Sequence, residues 1–401
     1  MNPPVRVRLR DENGEGVENT SLSVHHRAEV CGEVALQVHE GKDAMDALER
    51  LERPWRSLTG DSDPPFLTYT WNQAWYHLYA VSGCRPLIFE LASGDRTLAI
   101  LPCYLEGRTI RLAGDRICDY QDVIAADDGA ASLLVAAAME WLSAKGRGGH
   151  FRFERLSTEG RLFRVLHGSD DVPRSSLRFE KTFAPCPWTS LRGGLEGYLA
   201  GLPRKTRQDF RHSLNRLEKE APSARVTILR DFGIQVSDLW GAAAFHTANF
   251  RKTGESPFRD HRLIDLLGRV AKDPEVGFQL GVLTLHGDFL AVDFGFARGR
   301  RYYGYLTSFD QAHSRWAPGK CLILRRIDQW VGEDGVEELD FLSGNEPYKA
   351  SYTGGEAYQV WSIRLIPDGL AGRVRLAGLK SNRRLRQIAK RVLHRDEGLP
   401  R

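Results

Sequence analysis

The sequence predicts an α/β protein of the α+β kind, with two domains that each contain a mixed, mostly antiparallel sheet flanked by helices. The chain has 401 residues, which is more than one hydrophobic core usually serves. Stretches of alternating and of helical hydrophobic spacing follow one another in both halves. The order strands, helix, strand occurs twice, and this repetition predicts an internal duplication whose two copies have diverged in sequence.

In the first half, "EVALQVHEG" alternates like a strand and "KDAMDALERLERPWRSL" has helical spacing. Trp71, Trp75 and Tyr79 then recur every four residues, which is typical of one helix face. The segments "RPLIFELASG", "RTLAILPCYLEG" and "RTIRLAGD" predict strands. A helix in "ASLLVAAAMEWLSAKG" and a strand in "HFRFERL" complete the first unit.

In the second half, "ARVTILRD" predicts a strand, and "SDLWGAAAFHTANFRKTG" and "HRLIDLLGRVAKD" predict helices. Three strands follow in "VGFQLGVLTLHG", "DFLAVDFGFARG" and "RRYYGYLTSFD", before a loop, a helix and the strand "VEELDFLSG". We therefore expect a poorly ordered lead-in over residues 1–30 and an N-terminal domain over 31–182. A C-terminal domain over 183–370 and a basic tail over 371–401 complete the predicted organisation.

The composition is that of an ordinary soluble globular protein, with 42% hydrophobic and 27% charged residues. No apolar run approaches the roughly 20 residues that span a bilayer, and the first residues lack the apolar segment of a signal peptide. The six cysteines are scattered without metal-ligand spacing, which predicts reduced thiols, no metal site and a cytoplasmic protein.

The stretch "SRWAPGKCLILRRIDQWV" places Pro318, Gly319 and Lys320 at the start of an amphipathic helix. A helix start presents unpaired backbone N–H groups and a partial positive charge, and a glycine allows a ligand to approach closely. With Arg315 beside them, these residues predict a cradle for a phosphate. The alternative is that proline and glycine only form the turn between loop and helix.

Several segments resemble the GNAT superfamily of acyltransferases, and more closely the CelD/BcsL-type acetyltransferases, which are related to the Fem-type peptidyltransferases. The resemblance spans about residues 60 to 365 and is carried by the following segments: "FLTYTWNQAWY", "LAILPCYLEG", "GDRICDYQDVI", "AFHTANFRKTG", "YYGYLTSFDQAHSRWAPGKCLI" and "DFLSGNEPYKASYTG". It implies two GNAT-like domains in tandem. Only the second carries the loop that would bind the pyrophosphate of coenzyme A, because Asp127 and Asp128 stand at the corresponding place in the first half.

Carried onto this sequence, the resemblance implies a donor site that binds acyl-CoA, or an acyl-carrier protein in its place. The residues implied for this site are Arg315, Ala317, Gly319, Lys320, Cys321 and Asn345. Backbone N–H groups of Ala317, Gly319 and Lys320 would hold the phosphates. The sequence departs from the family pattern at Pro318, which has no N–H to donate, and at Cys321, where the family has a small residue.

Acyl transfer to an amine requires a base for the ammonium and an acid for the leaving thiolate. The resemblance implies Tyr348 or Tyr352 as the acid, with Lys349 between them. His246 is a candidate base, because an imidazole titrates near neutral pH, and Asn249 shares its helix face. Alternatively, the tyrosines pack on the sheet and the histidine is structural.

Acidic and aromatic residues on strands suggest an acceptor site. Asp293 interrupts an apolar strand, so its carboxylate either faces a cleft or has a buried partner. Asp310 and Asp340 are further candidates for the base or the ammonium-binding group. Asp119 and Tyr120 of the first half are expected to face the same cleft. Tyr303 and Tyr305 lie on one face of their strand, although aromatic strand residues usually belong to a core.

Two basic segments leave the identity of the acyl donor undetermined. The segment "LPRKTRQDFRHSLNRLEK" and the tail from Arg373 onward can be solvated faces, or can contact nucleic acid or an anionic lipid surface. We therefore expect an enzyme that moves an acyl group from a thioester to an amine of a small molecule or peptide. The alternatives are a Fem-like transferase that uses an aminoacyl-tRNA, and a catalytically inert GNAT-like binding protein.

Overall fold

The computed structural model describes residues 5–10, 16–22, 34–80, 83–145, 149–167, 176–250, 256–370 and 372–381. The strands are β1 Val5–Arg10, β2 Gly16–Leu22, β3 Val34–Glu40, β4 Arg85–Ser93, β5 Arg96–Glu106, β6 Thr109–Leu112, β7 Ile124–Ala125, β8 His150–Ser157, β9 Ser176–Ser190, β10 Arg225–Arg230, β11 Phe278–Leu285, β12 Asp288–Arg298, β13 Arg301–Phe309, β14 Glu338–Asp340 and β15 Ala357–Pro367.

Eleven α-helices have their bounds within these ranges, and residues 372–381 form a further helical segment. The helices are α1 Lys42–Arg50, α2 Glu52–Leu58, α3 Tyr69–Tyr79, α4 Asp128–Ala144, α5 Arg161–Leu166, α6 Gly194–Gly201, α7 Arg204–Glu220, α8 Val236–Asn249, α9 Arg262–Val270, α10 Pro318–Glu333 and α11 Pro347–Thr353.

The two halves repeat one topology. In the first half, β3, β4, β5 and β6 form an antiparallel meander, and after α4 the chain returns in β8, parallel to β6. In the second half, β10, β11, β12 and β13 form the same meander, and after α10 the chain returns in β14, parallel to β13. The predicted fold class and the predicted duplication are both confirmed by this correspondence.

The two sheets are joined into one sheet of fifteen strands. The last strand, β15, pairs with β8 of the first half on one side and with β9 on the other, and β9 also pairs with β14. The boundary expected between residues 182 and 183 therefore falls inside β9, which serves both halves. The lead-in that we expected to be poorly ordered contains β1 and β2, which extend the sheet beyond β3.

A shared apolar core fixes the two halves against each other. Trp71 on α3 is buried, and its ring contacts Phe296 of β12 and Tyr305 of β13, with centroids 5.7 and 6.1 Å apart. The opposite face of the second sheet is covered by α6, α7 and α10. As a consequence, alternate residues of β13 face either the first half or α10.

Candidate functional site

The clearest feature of the second half is a divergence between its two parallel strands. β13 and β14 pair only over Arg301–Tyr303 and Glu338–Asp340, while β13 continues to Phe309. Beyond β14 the chain follows β9 instead, since the N–H groups of Phe341 and Gly344 donate to the carbonyls of Pro187 and Pro185 at 2.9 and 3.0 Å. We call the opening between residues 304–309 and 341–346 the splay.

The start of α10 lies at one end of the splay, directly after β13 and a short 3₁₀ segment. Its N-cap, Ala317, has a left-handed backbone (φ 48°), and no side chain caps the helix. A non-glycine residue in this region is strained by about 1–2 kcal/mol. An α-helix has no internal acceptors for its first N–H groups, so those of Gly319 and Lys320 remain available to a ligand.

Two of the expected donor contacts are not available. The N–H of Ala317 donates to the carbonyl of Ser314 at 2.9 Å, so it cannot also hold a phosphate as predicted. Cys321 is buried, and its thiol donates to the carbonyl of Trp316 at 3.3 Å, which makes it a packing residue of α10. Because the N–H of Ala317 is engaged and Pro318 has none, the backbone can supply two donors here, from Gly319 and Lys320, rather than the three predicted.

The side chains around this helix start come largely from α7. The ammonium of Lys320 contacts the carboxylate of Asp209 and lies 5.0 Å from the ring centroid of Phe210. Arg315 is exposed, stacks on Trp316, and accepts a hydrogen bond from Arg216 through its carbonyl. A phosphate at this position would therefore compete with Asp209 for Lys320.

On the other side of the splay, α11 carries the expected acids. Tyr348 is 45% exposed, and its hydroxyl lies close to the side chain of Thr307 on β13. Desolvation of the hydroxyl raises the pKa of Tyr348 to about 12, so the phenol keeps its proton across the physiological range. Tyr352 is instead buried against Phe210 and Phe341, with centroids 5.0 and 5.2 Å apart. Of the two tyrosines, only Tyr348 combines exposure with a contact across the splay.

Lys349 and Asn345 occupy the loop and helix that follow β14. Lys349 is buried, and its ammonium lies 3.2 Å from the carbonyl of Ser343 and 3.1 Å from the carboxylate of Glu346. Asn345 is exposed at the outer end of the same loop. Leu342, which precedes Ser343, is a second residue with a left-handed backbone (φ 56°). One strained non-glycine residue therefore lies at the start of α10 and another in the edge of the splay that follows β14.

A polar cluster connects the two halves next to this loop. The hydroxyl of Ser343 donates to the carboxylate of Asp119, and the hydroxyl of Tyr120 donates to Asp340 at 2.6 Å. Tyr305 donates to the carbonyl of Ile117 at 2.7 Å. Burial raises the pKa of Asp119 and raises that of Asp340 to about 6. Asp119 and Tyr120, which we expected to face the same cleft as the strand carboxylates, thus contact Ser343 and Asp340 of the second half.

An open pocket of about 740 Å³ adjoins this cluster, between the two halves. Tyr120 and Tyr303 line it, and the ring of Tyr303 lies 6.3 Å from that of Tyr120. Arg301 hydrogen-bonds Glu338 at 2.7 Å and Tyr358 at 3.1 Å in its wall. We call this space the junction pocket.

The sequence did not single out two arginines of the junction pocket. Arg298 donates to the carbonyls of Gly60, Asp63 and Glu275 and so holds the loop before α3 against the second half. Arg301 pairs with Glu338 of the neighbouring strand. The sequence shows both arginines in the turn "ARGRR" between two predicted strands, but it does not show their partners, which lie far away along the chain.

The position of Asp293 does not fit a catalytic role at the cleft. Its carboxylate is fully buried on the sheet face covered by α10, where it forms an ion pair with Arg326 and accepts a hydrogen bond from Tyr302 at 2.6 Å. Arg326 also donates to Gln279 at 2.7 Å. Burial raises the pKa of Asp293. Of the two interpretations of this carboxylate, a cleft-facing group or a group with a buried partner, the second is correct.

Three further candidates are held by local contacts. His246 is buried, hydrogen-bonds Ser256 at 3.1 Å and stacks on Phe250, and burial lowers its pKa to about 4. Asn249 donates to the carbonyl of Phe245 in its own helix. Asp310 caps the 3₁₀ segment through the N–H of Ala312 and contacts His313 at 2.6 Å. These contacts favour structural roles over the catalytic and substrate-binding roles that we expected.

The first half differs from the second at the equivalent helix. α4 is capped by Asp127, whose carboxylate accepts from the N–H of Ala130 at 2.7 Å. Asp128 in the first turn is paired with Arg161 and Arg164. The protein's own carboxylates therefore occupy the place where a phosphate would bind, which supports the expectation that this half holds no pyrophosphate.

Comparison with known proteins agrees with this geometry. Residues 204–350 match the family described as "Acetyltransferase (GNAT) domain". A search of curated proteins finds no match. The fold resembles the C-terminal domain (DUF2156) of a putative lysylphosphatidylglycerol synthetase from Agrobacterium fabrum, with a TM-score of 0.51 and 13% identity, over 82% of this chain and 96% of that one.

A similar likeness holds for FemX, with a TM-score of 0.51 and 10% identity, over 73% of this chain and 90% of FemX. A conserved protein of unknown function from Bacteroides thetaiotaomicron VPI-5482 has a TM-score of 0.50 and 14% identity, over 79% and 97% of the two chains. At these identities the likeness concerns the fold alone. Residues 204–350 thus match a GNAT acetyltransferase domain, and the fold of the chain resembles that of FemX.

Two negative findings apply to the described ranges. Within them, no group of three or more histidine, cysteine or acidic residues is arranged to hold a metal ion. Among the helices with described residues, none is both long and apolar enough to span a membrane.

Proposed function

We propose that the protein is an acyltransferase that binds an acyl thioester at the splay and transfers the acyl group to an amine. The observation that carries this proposal is that the uncapped start of α10 and the exposed phenol of Tyr348 flank the same divergence of β13 and β14. Both lie in residues 204–350, which match the family model. A phosphate-binding helix start and a proton donor are the two groups that transfer from a coenzyme A thioester needs at opposite ends of the donor.

In the proposed reaction, the acceptor amine attacks the thioester carbonyl carbon and forms a tetrahedral oxyanion. The oxyanion collapses as the carbon–sulfur bond breaks, which gives an amide and a thiolate. In this proposal Tyr348 donates a hydrogen bond or proton to that thiolate, because its pKa of about 12 keeps the hydroxyl protonated. Asp119 and Asp340 are the nearest candidates to take the proton of the ammonium, since their raised pKa values favour proton uptake.

For the donor, we propose acyl-CoA, with an acyl-carrier protein as the alternative. The N–H groups of Gly319 and Lys320 and the side chain of Lys320 would hold a phosphate, with Arg315 able to turn toward it from solvent. Both donors present the same phosphopantetheine thioester. They differ in whether the remaining contacts are made by a nucleotide or by a protein surface.

For the acceptor, we propose a small molecule or peptide amine that enters through the junction pocket. Its volume of about 740 Å³ is typical of a small-ligand site. Both halves line it, which gives the first half a role although it lacks a phosphate site. We place the enzyme in the cytoplasm, because the five cysteines in the described ranges are all free thiols.

A second candidate function uses an aminoacyl-tRNA as donor. One observation favours it: α7 packs against α10 and exposes Arg204, Lys205, Arg211 and Lys219 beside the proposed donor site. A row of basic side chains next to an anion site is what a nucleic acid donor would use. The long basic helix is unexplained by a coenzyme A donor alone.

The test is mass spectrometry of ligands retained by the purified protein, followed by titration with each donor. Release of free thiol from acetyl-CoA in the presence of an amine mixture, together with a mass increase of one amine by an acyl group, would support the first proposal. Retained tRNA and no response to coenzyme A would favour the second. If the protein retains and turns over neither, it is an inert binding protein and both proposals fail.

A further inference from the structure

One arginine of the first half has a positive charge that no carboxylate of the described residues contacts. Arg155 lies in β8, and its guanidinium donates to the carbonyl of Cys118 at 2.8 Å and lies 5.3 Å from the ring centroid of Phe183. Its Nε atom is buried and has no hydrogen-bond partner among the described residues. Within the same ranges Arg155 forms no ion pair. Because a guanidinium that is partly withdrawn from water normally pairs with an anion, this one has unused capacity to bind a ligand.

The backbone of β8 is strained where it presents this side chain. Arg155 has a left-handed backbone (φ 55°), and β8 contains one extra residue between Phe153 and Leu156 relative to the facing strand β15. Such β-bulges re-aim a side chain and are common next to active sites. A strained non-glycine conformation persists where the surrounding fold determines it. The bulge therefore directs Arg155 to the segment that ends at Asp119.

The position of this segment is fixed from the second half. Tyr305 of β13 donates to the carbonyl of Ile117 at 2.7 Å, one residue before the carbonyl that Arg155 binds. The residue after that, Asp119, accepts a hydrogen bond from Ser343 at the other edge of the splay. Arg155 and Asp119 are therefore both held beside the splay.

Asp119 provides a negative charge close to that of Arg155. Burial raises the pKa of Asp119, and the charge of Arg155 is the strongest influence that opposes this rise. The two side chains nevertheless form no ion pair with each other in the described structure, and the other nearby cation, Lys349, is paired with Glu346. Arg155 and Asp119 are both partly exposed to solvent. The splay therefore presents one positive and one negative group, near each other but separate.

We propose that the acceptor is a free amino acid, bound with its carboxylate on Arg155 and its ammonium on Asp119. This proposal rests on the proposed function and names the acceptor class of the same site. A guanidinium binds a carboxylate through two parallel N–H···O bonds, and a carboxylate such as that of Asp119 is the matching partner for an ammonium. A zwitterion supplies both partners at once, whereas an amine without an anionic group would leave Arg155 unpaired.

The same placement brings the reacting nitrogen to the donor. Asp119 takes one proton from the bound ammonium, and the free amine attacks the thioester carbonyl carbon at the splay. The carbon–sulfur bond then breaks, and Tyr348 gives a proton to the leaving thiolate. The second proton lost by the nitrogen restores Tyr348, and the proton on Asp119 passes to water. The products are an N-acyl amino acid and a free thiol.

The experiment compares each common amino acid with its carboxamide, which has the same amine but no negative charge. Acetyl-CoA is the donor, and the release of free thiol and the mass of the product are followed. For the amino acid that is acylated fastest, we expect kcat/KM to exceed that of its carboxamide by about 30-fold or more, because the carboxamide leaves Arg155 unpaired. Equal values for the two would overturn this proposal and leave the proposed function standing.

Three variants test the part of Arg155 in this discrimination. Arg155→Gln should lower kcat/KM for the amino acid by about 30-fold or more, mainly through KM, and change that for the carboxamide little. Arg155→Lys keeps the charge without the planar fork and should recover part of the loss. The control is Arg152→Gln on the same strand, whose side chain is paired with Glu154, and which should leave both values unchanged. An Arg155→Gln variant that prefers the amino acid by the wild-type factor would overturn the proposal.

A binding measurement distinguishes failure of this proposal from failure of the proposed function. Thermal unfolding of the full chain is measured with each amino acid and with its carboxamide, at equal ionic strength and without donor. The bound amino acid should raise the midpoint more than its carboxamide does, and Arg155→Gln should abolish this difference. If no amine is acylated but the difference is found, the acyl transfer fails and the amino acid site stands. If no amine is acylated and the midpoints are also equal, both proposals fail.

Discussion

Replacing Asp293 by alanine tests whether this carboxylate is structural, as its burial indicates. In the wild type, the guanidinium of Arg326 is fully buried between Asp293, Gln279 and the rings of Tyr302 and Trp330, which lie 4.8 and 4.6 Å from it. Asp293→Ala would leave a buried cation with two neutral acceptors, the side-chain oxygens of Gln279 and Tyr302. It would also leave the hydroxyl of Tyr302 without its carboxylate.

The magnitude follows from these contacts. Breaking a buried ion pair by removing one partner costs about 3–5 kcal/mol, because the remaining charge stays desolvated. The Nε atom of Arg326 already has no hydrogen-bond partner in the described part of the chain, so little compensation is available locally. We expect the free energy of unfolding to fall by about 3–5 kcal/mol in Asp293→Ala.

The assay is urea denaturation of four proteins: wild type, Asp293→Ala, Arg326→Met and the double variant. The double variant leaves no unpaired charge, so its loss of stability should be less than half that of either single variant. Turnover measured per folded molecule should change little in all four. A variant of Asp293 that keeps wild-type stability but loses about 100-fold in turnover would refute the structural assignment.

The remaining predictions concern Tyr348, His246 and Asp340. Tyr348→Phe should lower kcat by about 10²–10⁴-fold with nearly unchanged donor affinity. Tyr352→Phe keeps its buried ring and should not lower kcat. Equal kcat values in the wild type and both variants would show that Tyr348 is not the acid. His246→Ala should reduce the free energy of unfolding by about 2–4 kcal/mol through loss of packing. The pH–rate profile between pH 5 and 8 should stay unchanged, because the pKa of about 4 keeps the imidazole neutral in that range. A shifted limb of the profile in that range would show that His246 acts as a base. For Asp340, the folded-state pKa of about 6 exceeds the unfolded value near 3.9, so the folded state binds the proton more tightly and the stability from this group falls as pH rises from about 4 to 6. Asp340→Asn should remove up to about 3 kcal/mol of that decline, and unfolding curves with the same pH dependence as the wild type would contradict the assignment.

Much of the fold could be predicted because hydrophobic periodicity is a local property. The meander of β10 to β13, the helix after it and the returning strand each appear as a separate pattern in the sequence. The start of α10 could also be located, since proline and glycine precede an amphipathic run. What these patterns do not contain is the partner of each strand, and so the continuity of the two sheets through β15 was not predicted.

The incorrect predictions about site residues also arise because local sequence patterns do not contain the partner of each side chain. Asp293 interrupts an apolar strand, but its partner Arg326 lies 33 residues later on a helix, and only the packing of α10 on β12 brings them together. The N–H of Ala317 was expected to be free because its 3₁₀ contact with Ser314 leaves no signature in composition. Tyr348, one of the two acids that the resemblance implied, lies beside the splay because α11 directly follows β14 and its loop.

The central claim is that one donor thioester binds per chain, at the start of α10. Calorimetric titration with coenzyme A tests it in the wild type and in two variants of Gly319. A Cβ atom at this position would meet Phe309 at 3.4 Å, an ordinary contact, so both variants are expected to fold.

Gly319→Ala adds volume without charge and should keep most of the affinity, whereas Gly319→Asp adds a carboxylate at the phosphate position and should abolish binding. We predict a stoichiometry of one for the wild type and for Gly319→Ala. Binding of two molecules per chain, or wild-type affinity in a folded Gly319→Asp variant, would contradict the claim.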